Sequence, residues 1–549
     1  MRRVFFLLLV FLVVVDARLE KPTTLRGGGL SVRAGRKVIV KKGAPVDEHK
    51  LGGFALAGCI MADLCPHGML PLAWASCAGG GTGVVPAVLL ILLFGIISTY
   101  SLYLSAAVAE IYSPKKKPQP KPWQRYRPPP PPIVTRDHLR QFSPPKVAEA
   151  LDDDDESSDG LTLNLELTLG GPKAPPLIVE KAPSLALSSI WKAAKLPCPL
   201  LIDLTVATFC GGCCVFYAAF AADLFHAVAG RLLPAKDFSR TTVLLSLMAF
   251  PLIPLSLLDD LAALKYSSFA GLAGILYTTI FVVLQGAKRT LDVVVTENNN
   301  HESSSLVADA AKFLLYWPFL PSSGNAERAM PQMVTTPLRS GLFQVSAGSA
   351  VLLNTLCVAF MCHYNAIVYY RELDKETPTK YAKVSTMGVA FTALIFVCVM
   401  VGGRNAFGKD AMPNVLNNIP LESAFGAVAR VGTGLAILSG FPLMFAGFKA
   451  AVDTALPLPP VSRFFVNILT LFAVAFCAAV VDDKAIGFTI EILGSTLGCA
   501  AAYVIPAIAA ARTQALPAIH RRLATLLASA GALLCLGSTY LTLSTPSAH

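Results

Sequence analysis

Charged side chains are scarce in this sequence. Asp, Glu, Lys and Arg make up 15% of its 549 residues, against about 25% in an ordinary soluble protein. That deficit, set beside 54% apolar residues, excludes a soluble enzyme and a nucleic-acid-binding protein. The formal charge of +11 reads instead as lysine and arginine placed between membrane spans. Metal-ligand spacing is missing too: Cys213-Cys214 has no nearby partners, so no metal is expected. The thirteen cysteines are no disulfide framework. Most of them, Cys210, Cys357 and Cys499 among them, lie inside apolar runs and behave there as small hydrophobes. An intramembrane hydrolase needs paired aspartates, a Ser/His pair or H-E-x-x-H. His363 has no serine at helical spacing and no H-E-x-x-H occurs, so neither an enzyme nor a cofactor is expected. The 287–340 stretch holds Asn298-Asn299-Asn300 without any Asn-x-Ser/Thr, so it encodes no glycosylation acceptor.

What the sequence has in abundance is apolar length. A helix needs ~20 mostly apolar residues to cross a bilayer. Eleven stretches are read as spans: 52–78, 85–111, 199–228, 241–258, 266–286, 343–370, 382–402, 424–447, 463–481, 486–511 and 523–544. They make residues 52–545 one all-α polytopic domain in a lipid bilayer. Before it, Met1-Arg2-Arg3 and the apolar run Val4–Val15 have the form of a secretory signal, and residues 1–18 are assigned to that segment. Residues 19–51 form a polar tail. Two insertions interrupt the domain. Residues 113–196 hold Lys115-Lys116-Lys117, Pro128–Pro132 and the acidic run Asp152–Glu156, a composition that predicts disordered or extended chain. The run Pro128–Pro132 is a candidate dock for an aromatic-lined groove on a protein partner, or simply a tether. Residues 287–340 form the second insertion.

Orientation follows from the basic residues. With the tail inside and every span reversing direction, inside segments hold 32 lysines and arginines and outside segments 11. The positive-inside rule therefore places the 113–196 loop in the cytoplasm and 287–340 outside or in a lumen. A cleaved signal predicts the opposite side for the tail.

Irregular backbone survives in lipid only where it is buried in protein or lines a cavity. The first span carries such a place. Cys65-Pro66-His67-Gly68-Met69-Leu70-Pro71-Leu72 sets two prolines and a glycine in an apolar run, and each proline removes an intrahelical bond. The helix is predicted to unwind there. Freed amides at Gly68, Met69 and Leu70 are the candidate receptor for a compact anion, and glycine at 68 allows a close approach to the backbone. The sixth span carries Cys362-His363-Tyr364-Asn365. A histidine at that depth is costly and is a functional candidate for that reason. Thr433 and Ser439 in the eighth span are further polar groups.

At these residues the chain resembles the amino acid/auxin permease family, nearest its sodium-coupled neutral amino-acid transporters. Pro254-Leu255-Ser256-Leu257-Leu258, with Leu264-Lys265-Tyr266-Ser267-Ser268 after it, resembles that family's link between spans 4 and 5. Gly212, Tyr217 and Asp223 keep the spacing G-x4-Y-x5-D, and Cys362-His363-Tyr364-Asn365 with Glu372-Leu373 resembles C-H-x-N…E-L. Gly403–Gly408 and Leu493-Gly494-Ser495-Thr496 with Pro506 are similar to motifs of spans 7 and 10. There are departures. Pro66 stands at a family glycine, Ala73 at a proline and Arg404 at a tyrosine. The span 1 asparagine of the sodium-coupled members is absent, with Cys59, Ala62 and Asp63 near its place.

The resemblance implies two inverted five-helix repeats plus an eleventh helix, and secondary active transport of an L-amino acid, neutral by analogy, through alternating access. It implies a substrate site formed by Gly68, Met69, Leu70, Tyr217, His363 and Asn365. Asp63, Thr433 and Ser439 are the implied contacts of a coupling ion, Na+ or H+, in symport. The membrane is the plasma membrane or an endomembrane. The rival reading is an amino-acid sensor with little flux that recruits partners through 113–196.

Overall fold

The computed structural model describes residues 51–112, 186–233, 238–257, 264–298, 342–346, 348–374 and 376–544. The leader at 1–18, residues 19–50, the runs Pro128–Pro132 and Asp152–Glu156, and most of 287–340 lie outside them. Among the described residues every regular element is helical, and an isolated bridge between Leu51 and Leu373 is the one extended pairing.

Among the described residues ten helices are long and apolar enough to cross a membrane, and a bent pair, taken as one span, makes an eleventh. Span 1 is that pair, Gly53–Gly68 and Leu72–Gly80, bent by 56°. The others are span 2 (Val84–Tyr112), span 3 (Pro199–Leu232), span 4 (Arg240–Leu257), span 5 (Phe269–Leu291) and span 6 (Ser349–Glu372). Span 7 (Pro378–Asp410), span 8 (Ala424–Ala455), span 9 (Pro460–Val480), span 10 (Ala485–Arg512) and span 11 (Ala518–Ser544) complete the set. Local chemistry sets several starts. Thr377 accepts from the Lys380 N–H with Pro378 at the first helical position, and Ser423 accepts from the Gly426 N–H. Both satisfy amides that a helix start leaves open.

Small residues bring the helices together. A Cβ on Gly274 of span 5 would lie 2.5 Å from the Gly432 backbone of span 8, and one on Gly271 would lie 2.7 Å from Ala436 Cα. Glycine there lets two backbones touch, which is how helices gain packing where lipid offers no hydrophobic drive. The outer surface is apolar, with Phe250, Phe465, Phe472, Leu533 and Tyr540 exposed, as a lipid-facing surface requires. Within this frame span 6 is enveloped: 89% of its apolar window is buried, against 17% of span 11's.

Four features depart from the sequence reading. Pro66 does not break span 1; it lies inside Gly53–Gly68, and the Met69 N–H still reaches the Cys65 carbonyl at 3.2 Å. The break falls at Met69–Pro71, where Pro71 has no amide and disfavours helix in the residue before it. Span 6 is not continuous: Ser349–Ala359 stops, and a 3-10 turn at His363–Asn365 leads into Ala366–Glu372. The helix of span 5 runs on to Asn298, into the second insertion. The first insertion, expected to be disordered or extended, ends in a short helix, Ser188–Ala193, with Ser188 and Ile190 buried.

Candidate functional site

The two breaks face each other, and a carboxylate joins them. Asp63 lies in the first half of span 1 and is wholly buried. Its Oδ1 accepts from the Tyr364 hydroxyl at 2.5 Å and its Oδ2 from the Tyr369 hydroxyl at 2.8 Å, with Asn365 Nδ2 further off at 3.5 Å. All three donors come from the broken part of span 6. In a continuous helix, positions 364 and 369 would point about 140° apart. The 3-10 turn alters that relation and aims both phenols at one carboxylate. Hydrogen bonds to a charged group are worth ~1.5–3 kcal/mol each, and they offset part of the cost of burying the charge.

One turn further along span 1, at i+4, His67 shares the face of Asp63. Its Nε2 lies 3.1 Å from the Val358 carbonyl and its Nδ1 2.7 Å from the Tyr217 hydroxyl of span 3. A carbonyl only accepts, so Nε2 carries the proton, and a neutral ring then accepts from Tyr217 at Nδ1. His67 thereby ties span 3 through span 1 to the last turn before the span 6 break. Span 8 closes the other side with two glycines seven residues apart. A Cβ on Gly447 would lie 2.5 Å from the Tyr364 ring, whereas one on Gly440 would sit at 3.4 Å from the Tyr217 hydroxyl.

The expected site residues separate into groups. Asp63 and Asn365 are in direct contact, and Tyr217 bonds His67, one helical turn along span 1 from Asp63. Gly68 faces Phe396 of span 7, whose ring occupies the space a Cβ would need, and the Ala359 carbonyl at 3.0 Å from that position. Met69 and Leu70 are buried at the break itself, but the Met69 amide is already bonded to Cys65. His363 points the other way, edge-on to Tyr503 of span 10 with ring centroids 6.0 Å apart, and neither of its ring nitrogens has a hydrogen-bond partner among the described residues. Thr433 and Ser439 lie on the span 5–span 8 seam. Thr433 shares a 2.9 Å hydrogen bond with Thr278, and Ser439 donates to carbonyls of its own helix. Asp223 is ion-paired with Arg240 at the start of span 4. No group of three metal-ligating side chains occurs among the described residues.

Three site residues escaped the sequence reading: His67, Tyr364 and Tyr369. Two of them stood inside quoted motifs, and the available signal was the i, i+4 spacing of Asp63 and His67. Arg404 is a fourth surprise. It is buried at the far end of span 1, where its Nη1 donates to the carbonyls of Ser76 and Thr82. A cation at a helix C-terminus is stabilised by the dipole, so this arginine anchors the second half-helix.

Residues 197–314 match the family model described as transmembrane amino acid transporter protein. The matched stretch contains both the G-x4-Y-x5-D spacing of span 3 and the link between spans 4 and 5. The amino acid transporter AVT6E of Arabidopsis thaliana is 22% identical over 284 residues, 50% of this chain and 51% of that protein. The sodium-coupled neutral amino acid transporter 7 of Mus musculus is 20% identical over 272 residues, 48% of this chain and 50% of that one. The chain thus spans about half the length of the curated relatives it matches. Among solved structures, MhsT in complex with L-phenylalanine aligns at a TM-score of 0.42 and 11% identity, over 89% of this chain and 98% of that one. Over 197–314 the chain is similar to the transmembrane amino acid transporter proteins that this family model describes, which agrees with the resemblance of its motifs.

Proposed function

We propose that the chain is a secondary transporter that moves a neutral L-amino acid across a membrane by alternating access, with the substrate held where spans 1 and 6 are broken. The observation that carries this reading is the Asp63 clamp. A carboxylate buried deep among spans and met by neutral donors alone has no counter-charge, and such a group is retained at a cost only where a cation visits it. The α-ammonium of an amino acid, or a coupling Na+ or H+, supplies that charge. Asp63 is the one carboxylate in this cluster of Tyr364, Asn365 and Tyr369, so once the ammonium or the coupling cation occupies it, a charged substrate side chain would find no opposite charge beside it. This supports a neutral substrate, as do relatives named for neutral amino acids. The substrate's carboxylate is assigned to the irregular backbone at Leu70, past the Met69 amide that Cys65 already holds, in the manner of broken-helix transporters.

The test is uptake of a panel of labelled L-amino acids into vesicles reconstituted with the full chain, with sodium and proton gradients imposed separately. The expected result is saturable uptake of neutral members, driven by one gradient and lost in Asp63→Asn. Saturable binding without uptake would favour the sensor reading instead. Uptake by Asp63→Asn at the parental rate and with the parental gradient dependence would remove the clamp from the mechanism.

A further inference from the structure

A narrow gap lies beside the clamp. About 190 Å³ of space, part of it open to solvent, lies beside Tyr364, the residue that donates to Asp63, and none of it admits a water molecule. Its walls include Val206 of span 3, Gly447 of span 8, and Ala186 and Leu187 from the end of the first insertion. At its other end stands Asp203, in the second turn of span 3 and 2% exposed. Asp203 Oδ2 takes no hydrogen bond among the described residues and meets the Lys192 ammonium at 4.0 Å. Lys192 belongs to the helix Ser188–Ala193. The line therefore runs from Asp63 through Tyr364 and a narrow gap to a second buried carboxylate, and the segment Ala186–Ala193 supplies both the apolar cover and the cation on that carboxylate.

We propose that Ala186–Ala193 is the gate of this passage, latched by Lys192 on Asp203, and that Asp203 is a second cation contact once the helix swings aside. The proposal rests on the transport reading for what moves through the passage, but not for the gate itself. Two charges explain the arrangement. With the gate shut, Lys192 neutralises Asp203, so the carboxylate is tolerated without a travelling ion. With the gate open, Lys192 leaves with its helix, and Asp203 faces the gap uncompensated. It then attracts the positive charge released from Asp63: a proton, a sodium ion or the substrate's ammonium. The low-dielectric walls strengthen that attraction.

Gate and cation contact are tested separately. In the full chain, with Cys59, Cys77, Cys198, Cys398 and Cys535 replaced by serine, Ala450→Cys places a thiol on the cavity wall. An impermeant methanethiosulfonate applied from the side of the first insertion is expected to label it slowly. Lys192→Ala and Leu187→Gly are each expected to raise the rate about tenfold, a shift of ~1.4 kcal/mol in the gate's equilibrium. Unchanged labelling in both variants overturns the gate. This readout needs no transport, so it stands even if the parent carries no amino acid, a result that would defeat the functional reading alone. For Asp203→Asn, gradient-driven net uptake is expected to fall about tenfold, while exchange of labelled for unlabelled amino acid falls much less, since exchange does not require the cation to leave. Sodium and proton gradients imposed in turn identify which cation is released. Equal loss of both fluxes, or loss of neither, overturns the role of Asp203.

Discussion

Spans 1 and 6 are both broken, yet they break for different reasons. Span 1 stops at Met69–Pro71 because proline lacks an amide and constrains the residue before it. Span 6 has neither proline nor glycine between Ser349 and Glu372. Its helix ends at Ala359 because its polar groups have partners elsewhere: His67 reaches the Val358 carbonyl, and Tyr364, Asn365 and Tyr369 turn to Asp63. One break is written in local covalent chemistry. The other is held by tertiary hydrogen bonds whose anchor lies far earlier in the chain, Asp63 preceding Tyr364 by 301 positions.

If that contrast is right, span 6 is the fragile partner. The largest effect is expected from Tyr364→Phe with Tyr369→Phe. Each change removes a hydrogen bond to a charged group, ~1.5–3 kcal/mol. Together they leave Asp63 the long contact to Asn365 alone, so the double variant should lose more than the sum. Thermal unfolding of the singles and the double in detergent checks it; stability within ~0.5 kcal/mol of the parent in all three would mean that Asp63 does not hold the break.

Next is Gly68→Leu. The sequence alone suggests that leucine would spoil a ligand site and leave folding intact. The structure puts Phe396 and the Ala359 carbonyl in the way, so overpacking of about 1–3 kcal/mol is expected, and abundance should fall along with transport. Phe396→Ala should restore part of the stability. Rescue of stability without rescue of transport would show that Gly68 also serves the substrate.

A paired comparison follows on span 8. Gly447→Ala drives a methyl into the Tyr364 ring and is expected to cost ~1–3 kcal/mol. Gly440→Ala meets the Tyr217 hydroxyl at ordinary contact distance, and is expected to stay within ~0.5 kcal/mol of the parent. The reverse ranking in a melting experiment would place the span 8 face wrongly.

The smallest effect is expected at Pro66→Ala. Pro66 already sits in continuous helix, so the replacement restores an amide without moving the bend, and uptake should change less than about twofold. Pro71→Ala should disturb uptake more, because it lets helix propagate through the break. Equal effects at the two prolines would return the break to the position expected from sequence.

Much of this was legible beforehand. Apolar length alone marks eleven spans, because a bilayer requires ~20 such residues whatever the tertiary fold, and the bend in span 1 was readable from its prolines. The site was legible only in part. Asp63, Tyr217 and Asn365 were named in advance, whereas Tyr364, Tyr369 and His67 were not, because a tyrosine or histidine in a span carries no sign of which neighbour it meets. His363 drew notice as the costlier residue, yet His67 is the histidine bonded at both nitrogens. Thr433 and Ser439, named as implied ion contacts, lie on the seam between spans 5 and 8, a placement that hydropathy does not give.

Sequence by itself determined the class of molecule, the number of spans, the first break and the family resemblance, because each depends on local composition or on short motifs. Tertiary structure alone decided the second break, the pairing of Asp63 with two phenols, the anchoring of span 1 by Arg404 and the approach of Lys192 to Asp203. Those features depend on which helix faces meet, and hydropathy carries no record of that. A buried polar group must find a partner, but the chain does not state locally which one; packing of all the spans together makes that choice.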